Sequence, residues 1–143
     1  MLLGGATMSF WTNGVGTADF AGTIAEAGSI VKGGTYRQAL SGCGSRYTGT
    51  TTINAGILAV QCLDDGGVAS SIGASGADAS NVVISGGTLQ YIGTGSTTDR
   101  LFTLGPSTTS ALDASGTGPL LFTNTGALAW SAPGTAQSTT LPG

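Results

Sequence analysis

A short phrase recurs four times along this 143-residue chain. It reads Glu-Ala-Gly-Ser-Ile-Val-Lys from Glu26 to Lys32, Asn-Ala-Gly-Ile-Leu-Ala-Val from Asn54 to Val60, Ser-Gly-Gly-Thr-Leu-Gln-Tyr from Ser85 to Tyr91 and Asn-Thr-Gly-Ala-Leu-Ala-Trp from Asn124 to Trp130. Each passes through a turn-forming glycine (Gly28, Gly56, Gly87, Gly126) into a short strand-like run. Two residues after the glycine stands the first core position, filled by Ile30, Leu58, Leu89 and Leu128. Two further on stand Lys32, Val60, Tyr91 and Trp130. The glycines are 28, 31 and 39 residues apart. A strand unit repeating at that interval marks a stacked fold, in which no unit can bury its apolar face alone. The expectation is that Ile30, Leu58, Leu89 and Leu128 are stacked equivalents pointing inward.

Helix is nearly absent from the pattern. No stretch sustains apolar residues at intervals of three and four without glycine. Strands are expected at 20–25, 29–32, 50–53, 57–61, 81–84, 88–92, 101–104, 120–123 and 127–130, with Gly-rich turns between them. Gly, Ala, Ser and Thr exceed half of the chain, but a net charge of only -3 and recurrent Leu, Ile, Val and Phe argue against disorder. Two architectures fit. One is a β-sandwich, with 81–84 and 88–92 pairing antiparallel through Gly86-Gly87. The other is a parallel β-helix of about five coils, at roughly 20–30 residues per coil. The repeated phrase favours the β-helix, and the Thr50-Thr51-Thr52 run fits an exposed ladder.

The segment Tyr47-Thr-Gly-Thr-Thr-Thr-Ile-Asn-Ala-Gly-Ile-Leu-Ala-Val60 resembles the autotransporter-associated β-strand repeat, also called the passenger-associated transport repeat. Further along, Gly86-Gly-Thr-Leu-Gln-Tyr91, Thr98-Asp-Arg-Leu-Phe-Thr-Leu-Gly105 and Leu121-Phe-Thr-Asn-Thr-Gly-Ala-Leu128 are similar to the same passengers. The likeness runs over about residues 20 to 130. It implies a right-handed parallel β-helix, here one unit over 1–143, in the secreted passenger of a Gram-negative type V system. The stretch 34–47 departs from the pattern, because Arg37-Gln38 load a strand with polar bulk. On this resemblance the chain is expected to be a passenger fragment at the cell surface, with no signal peptide or membrane anchor of its own. Its partners are neighbouring coils and, as candidates, host-surface or glycan ligands. In an exported chain, Cys43 and Cys62 are candidates for a disulfide, with two free thiols as the alternative.

Sites for chemistry are sparse. There is no histidine, and no P-loop, Gly-x-Ser-x-Gly or dinucleotide fingerprint is present. The four basic residues are scattered, which gives nucleic acid no electrostatic footprint. A β-helical carbohydrate-active enzyme would need carboxylates converging on one face. The candidates Asp64, Asp65 and Asp78 read instead as turn residues. No catalytic, metal or cofactor residue is expected, and no insertion of this segment into a membrane. Tyr91 and Trp130 read as core aromatics; a sugar-stacking role would require them to be exposed.

Overall fold

The computed structural model describes residues 1–106 and 109–130, and of Trp130 only the backbone. The described residues hold no α-helix, only a 3-10 turn at Ala79–Asn81. Strands β1 (Thr7–Trp11), β3 (Ser29–Gly33), β5 (Thr51–Ile53), β7 (Val82–Ile84), β10 (Thr103–Leu104) and β13 (Ala129–Trp130) form one sheet in that order. A second sheet runs β2 (Thr17–Phe20), β4 (Arg37–Leu40), β6 (Ile57–Val60), β8 (Thr88–Tyr91) and β11 (Ala111–Asp113). A third pairs β9 (Ser96–Thr98) with β12 (Leu120–Phe122).

Among the described residues every pairing between these strands is parallel. The register of the six-stranded sheet steps from Thr7 to Ser29, Ile30 to Thr51, Thr51 to Val82, Val83 to Thr103 and Thr103 to Ala129. The chain therefore advances one strand per circuit, with circuits of 22, 21, 31, 20 and 26 residues. This is a parallel β-solenoid of about five coils. It rules out the sandwich: β7 and β8 lie in different sheets rather than forming a hairpin.

The core is a set of ladders. On the second sheet, Gln38, Leu58, Leu89 and Leu112 share one row, and Leu40, Val60 and Tyr91 the next. On the first, Lys32, Ile53, Ile84 and Leu104 share a row. Removing a Leu or Ile side chain from water contributes about 1.5–3 kcal/mol, so a handful of such rows holds the stack. Thr51 faces inward too, fully buried, with its hydroxyl 2.7 Å from that of Tyr47. Only Thr50 and Thr52 of the threonine run face outward, because alternation along a strand cannot expose three neighbours.

The four phrases do not form one ladder. The first and fourth feed the six-stranded sheet, and the second and third feed the five-stranded one. Each coil has two corners that use the same glycine-then-apolar signal, so the sequence pattern alone does not separate them. Leu128 is 37% exposed rather than buried. It lies in the last described coil. The expected strand at 20–25 sits instead at Thr17–Phe20, and β1, β4, β9 and β11 are additional.

Candidate functional site

Ile30, Leu58, Val60, Leu89 and Tyr91 lie in the core, each at most 2% exposed, and the Tyr91 hydroxyl accepts from Gly95 N at 2.7 Å. Tyr91 is therefore no surface platform. Trp130 lies on β13 opposite Leu104, and its side chain is outside the described residues. Of the four phrase glycines only Gly56 is left-handed, at φ 67°. A side chain there would also meet Gly34 O, Tyr36 O and Lys32 Nζ. Gly28 and Gly87 permit close approach of Leu3 and Ile53, and Gly126 N donates to Asn124 Oδ1 at 2.8 Å.

Cys43 and Cys62 are joined by a disulfide, with Cα atoms 5.4 Å apart. Cys43 follows β4 and Cys62 follows β6, so the bridge ties consecutive coils. It sits at the base of the one long excursion, residues 61–81.

That excursion is organised by a residue distant in sequence. Arg100 is 3% exposed. Its Nε donates to Asp64 O at 2.8 Å, Nη1 to Ser75 O and Ser75 Oγ at 3.1 and 3.2 Å, and Nη2 to Gly73 O, Asp65 O and Val68 O at 3.0, 3.3 and 3.3 Å. A planar guanidinium with five N–H groups suits such a ring of carbonyls. Burial lowers its pKa, opposed by Tyr47 and by Asp99, Asp64 and Asp65 nearby. Tyr47 in turn is pushed above the ordinary phenol range by burial.

Lys32 plays a parallel part at a tight corner. Its stem fills the first sheet's inner row, and Nζ donates to Gly33 O, Gly34 O and Ala55 O at 2.6, 3.2 and 3.4 Å. Desolvation lowers its pKa. In the sequence it occupied a core position, but nothing local showed which carbonyls would receive the ammonium.

The acids beside the excursion are held by backbone N–H groups. Asp65 Oδ1 accepts from Asp99 N at 2.8 Å and Asp99 Oδ1 from Gly66 N at 2.7 Å, so both serve the backbone of the excursion. Asp78 is exposed and precedes the 3-10 turn. On the outer face of the second sheet, Arg37 Nε donates to Gln90 Oε1 at 3.0 Å, and Gln90 Nε2 to Asp113 Oδ2 at 3.0 Å. This polar row reaches over β6 and leaves Ala59 fully buried beneath it. Arg37 thus faces outward. Gln38 faces inward and donates from Nε2 to Ala39 O at 2.9 Å, which accommodates the polar bulk of that strand. Among the described residues, no cluster of three or more His, Cys, Asp or Glu could hold a metal ion, and no helix is long and apolar enough to cross a membrane.

A stack of parallel coils with aliphatic ladders inside and polar rows outside defines a β-solenoid scaffold. Over 141 residues, 99% of the chain, it is 48% identical to the adhesin BmaC autotransporter of Brucella suis biovar 1 (strain 1330). The chain spans 4% of that relative's length. Likeness and fold together make this chain a β-solenoid repeat segment of autotransporter type. No protein-family model matches the chain, and no solved structure matches it significantly.

Proposed function

We propose that this segment is a structural stalk element in the passenger of an adhesin-type autotransporter. It would stand at the surface of a Gram-negative bacterium, holding adhesive regions away from the outer membrane and performing no catalysis itself. The supporting observation is continuity. The inner rows run from coil to coil, and the first and last described coils leave apolar side chains exposed: Leu2 at 71%, Leu121 at 55% and Phe122 at 43%. Apolar side chains of that kind are complementary to further coils, which this reading makes the partners of the segment. The adhesin relative supports the surface setting.

Phase tests this reading. Residues 8–29 make up one full register step and contain no cysteine. A second copy placed in tandem after Ser29 should extend the rod by about 4.8 Å and keep a cooperative melt. A tandem copy of residues 8–18 alone repeats β1 without completing a circuit, so it should leave the height of the rod unchanged and weaken the melt. Equal tolerance of both insertions, or unfolding by both, would overturn the scaffold reading.

A further inference from the structure

Two dipeptides of this sequence invite a reaction of the chain with itself. Asp65-Gly66 and Asn13-Gly14 each set a side-chain carbonyl carbon beside a glycine, the residue that shields its own backbone nitrogen least. In such a pair the glycine nitrogen attacks Cγ and closes a succinimide ring. At Asp65 the new Cγ–N bond replaces a Cγ–O bond, and the oxygen of the protonated acid leaves as water. At Asn13 it replaces the Cγ–Nδ2 bond, and the nitrogen leaves as ammonia. The amide proton departs with the leaving group in each case. Solvent water then opens the ring at either carbonyl and leaves aspartate or isoaspartate.

The fold imposes glycine at both places. Gly14 is left-handed, at φ 116°. A Cβ at Gly66 would run into the backbone nitrogen of Ala77. Asp65 is exposed, so water is not what the reaction lacks.

What opposes it is the coil that follows. Closure requires the peptide plane between Asp65 and Gly66 to turn until its nitrogen faces Cγ. That plane is pinned on both edges. Gly66 N donates to Asp99 Oδ1 at 2.7 Å, and Asp65 O accepts from Val68 N at 3.1 Å and from Arg100 Nη2 at 3.3 Å. The carboxylate under attack is pinned as well, its Oδ1 accepting from Asp99 N at 2.8 Å. A lighter version guards the other pair: Gly14 N donates to Thr35 Oγ1 at 2.9 Å, and that hydroxyl donates to Gly14 O at 3.0 Å. In both, the attacking nitrogen is engaged by a side-chain oxygen from the next coil, 33 and 21 residues on. We propose that Asp65-Gly66 and Asn13-Gly14 are latent sites of succinimide modification, kept unreacted by Asp99 and Thr35. Isoaspartate at position 65 would insert a carbon between the carbonyls of Asp64 and Asp65, both of which Arg100 holds, and so would loosen the excursion. This chemistry is independent of the stalk reading.

The test is to store the full chain in warm, near-neutral buffer and follow both sites by peptide mapping, with the same chain in denaturant as reference. Separation of isomeric peptides reads Asp65, and the mass gain of deamidation reads Asn13. At each site the folded parent should react at least roughly fivefold more slowly than the denatured chain, the effect of about one hydrogen bond. Asp99→Ala should speed the reaction at Asp65 by about fivefold and leave Asn13 unchanged. Asp99→Asn keeps an acceptor oxygen and should stay within about twofold of the parent. Thr35→Val should speed Asn13 by about fivefold and leave Asp65 unchanged. It removes an exposed hydroxyl, so it keeps the test decisive if Asp99→Ala does not fold. A parent that reacts as fast folded as denatured would overturn the proposal. So would an unchanged rate at Asp65 in folded Asp99→Ala, or at Asn13 in Thr35→Val. Equal acceleration of both sites in either folded variant would also overturn it, because general loosening and not one lost bond would then be the cause.

Discussion

Between β4 and β5 the chain returns from the second sheet to the first in the ten residues 41–50; one coil later, between β6 and β7, the same return takes the 21 residues 61–81. The short return leans on the coil before it. Arg46 N, Thr48 N and Gly49 N donate to Ile24 O, Glu26 O and Gly28 O, so the ladder pattern carries on around the bend. The long return keeps that template only at Ser70 and Ala74, whose N–H groups donate to Ser45 O and Tyr47 O. Its carbonyls at 64, 65, 68, 73 and 75 point together, and the Arg100 guanidinium receives them. A solenoid can therefore lengthen at a corner without disturbing its sheets, provided the added backbone finds partners of its own.

Substitutions can separate the two kinds of support. The largest effect should come from the shared core. Leu89→Asp buries an unpaired carboxylate and leaves a cavity, costing upward of about 4 kcal/mol and abolishing the cooperative melt followed by circular dichroism. Arg100→Ala should cost roughly 3–5 kcal/mol, because several buried carbonyls lose their donors together. Proteolysis should then cut first within residues 61–81 while residues 41–50 stay protected. Equal protection of the two returns would mean that the excursion does not depend on Arg100. Reducing the Cys43–Cys62 bridge should cost about 3 kcal/mol, read from denaturant midpoints with and without reductant.

Lys32 gives a smaller effect that depends on pH. Its folded pKa lies below its unfolded value near 10.5, so the unfolded chain holds the proton more tightly. The penalty for burying the charge is fully present below the folded pKa and is relieved as pH rises toward 10.5. The Nζ sits at a corner among three carbonyls, so the change should be modest. Lys32→Met removes the buried charge but leaves the Gly33 and Gly34 carbonyls without their donor, so it should cost roughly 1–3 kcal/mol at pH 7, and the cost should grow as pH rises through that window, as measured by parallel melts. Smallest of all, Thr88→Asp on the outer face next to Leu89 should cost under about 1 kcal/mol. A melt as damaged as that of Leu89→Asp would mean the facing of β8 is wrong.

The stacking was legible because glycine corners and alternating apolar residues obey short-range rules. Leu58 and Leu89 fall in one row as their matching phrases suggest. The assignment of corners was not legible, since Gly28 and Gly56 head strands of different sheets in the same local wording. The strand at Arg37–Leu40 was hidden by its polar residues: Gln38 is satisfied by Ala39 O, but Arg37 draws on Thr17 and on Gln90, 53 residues away. Arg100 reads in sequence as a turn residue beside Asp99, and its carbonyl ring lies 25 to 36 residues upstream. The contacts of Trp11 and Tyr36 gave no signal, because the glycines they rest against, Gly33 and Gly16, belong to neighbouring coils.

The unequal circuits have a consequence for how such a protein measures distance. The circuit of 31 residues and the circuit of 20 each advance the stack by one strand, roughly 4.8 Å. Extra residues widen the girth and leave the height unchanged. Height is thus counted in circuits and not in amino acids, so corner loops can lengthen or shorten without changing the height of the stack. Only gain or loss of a whole turn changes that distance, and it does so in steps of one strand spacing.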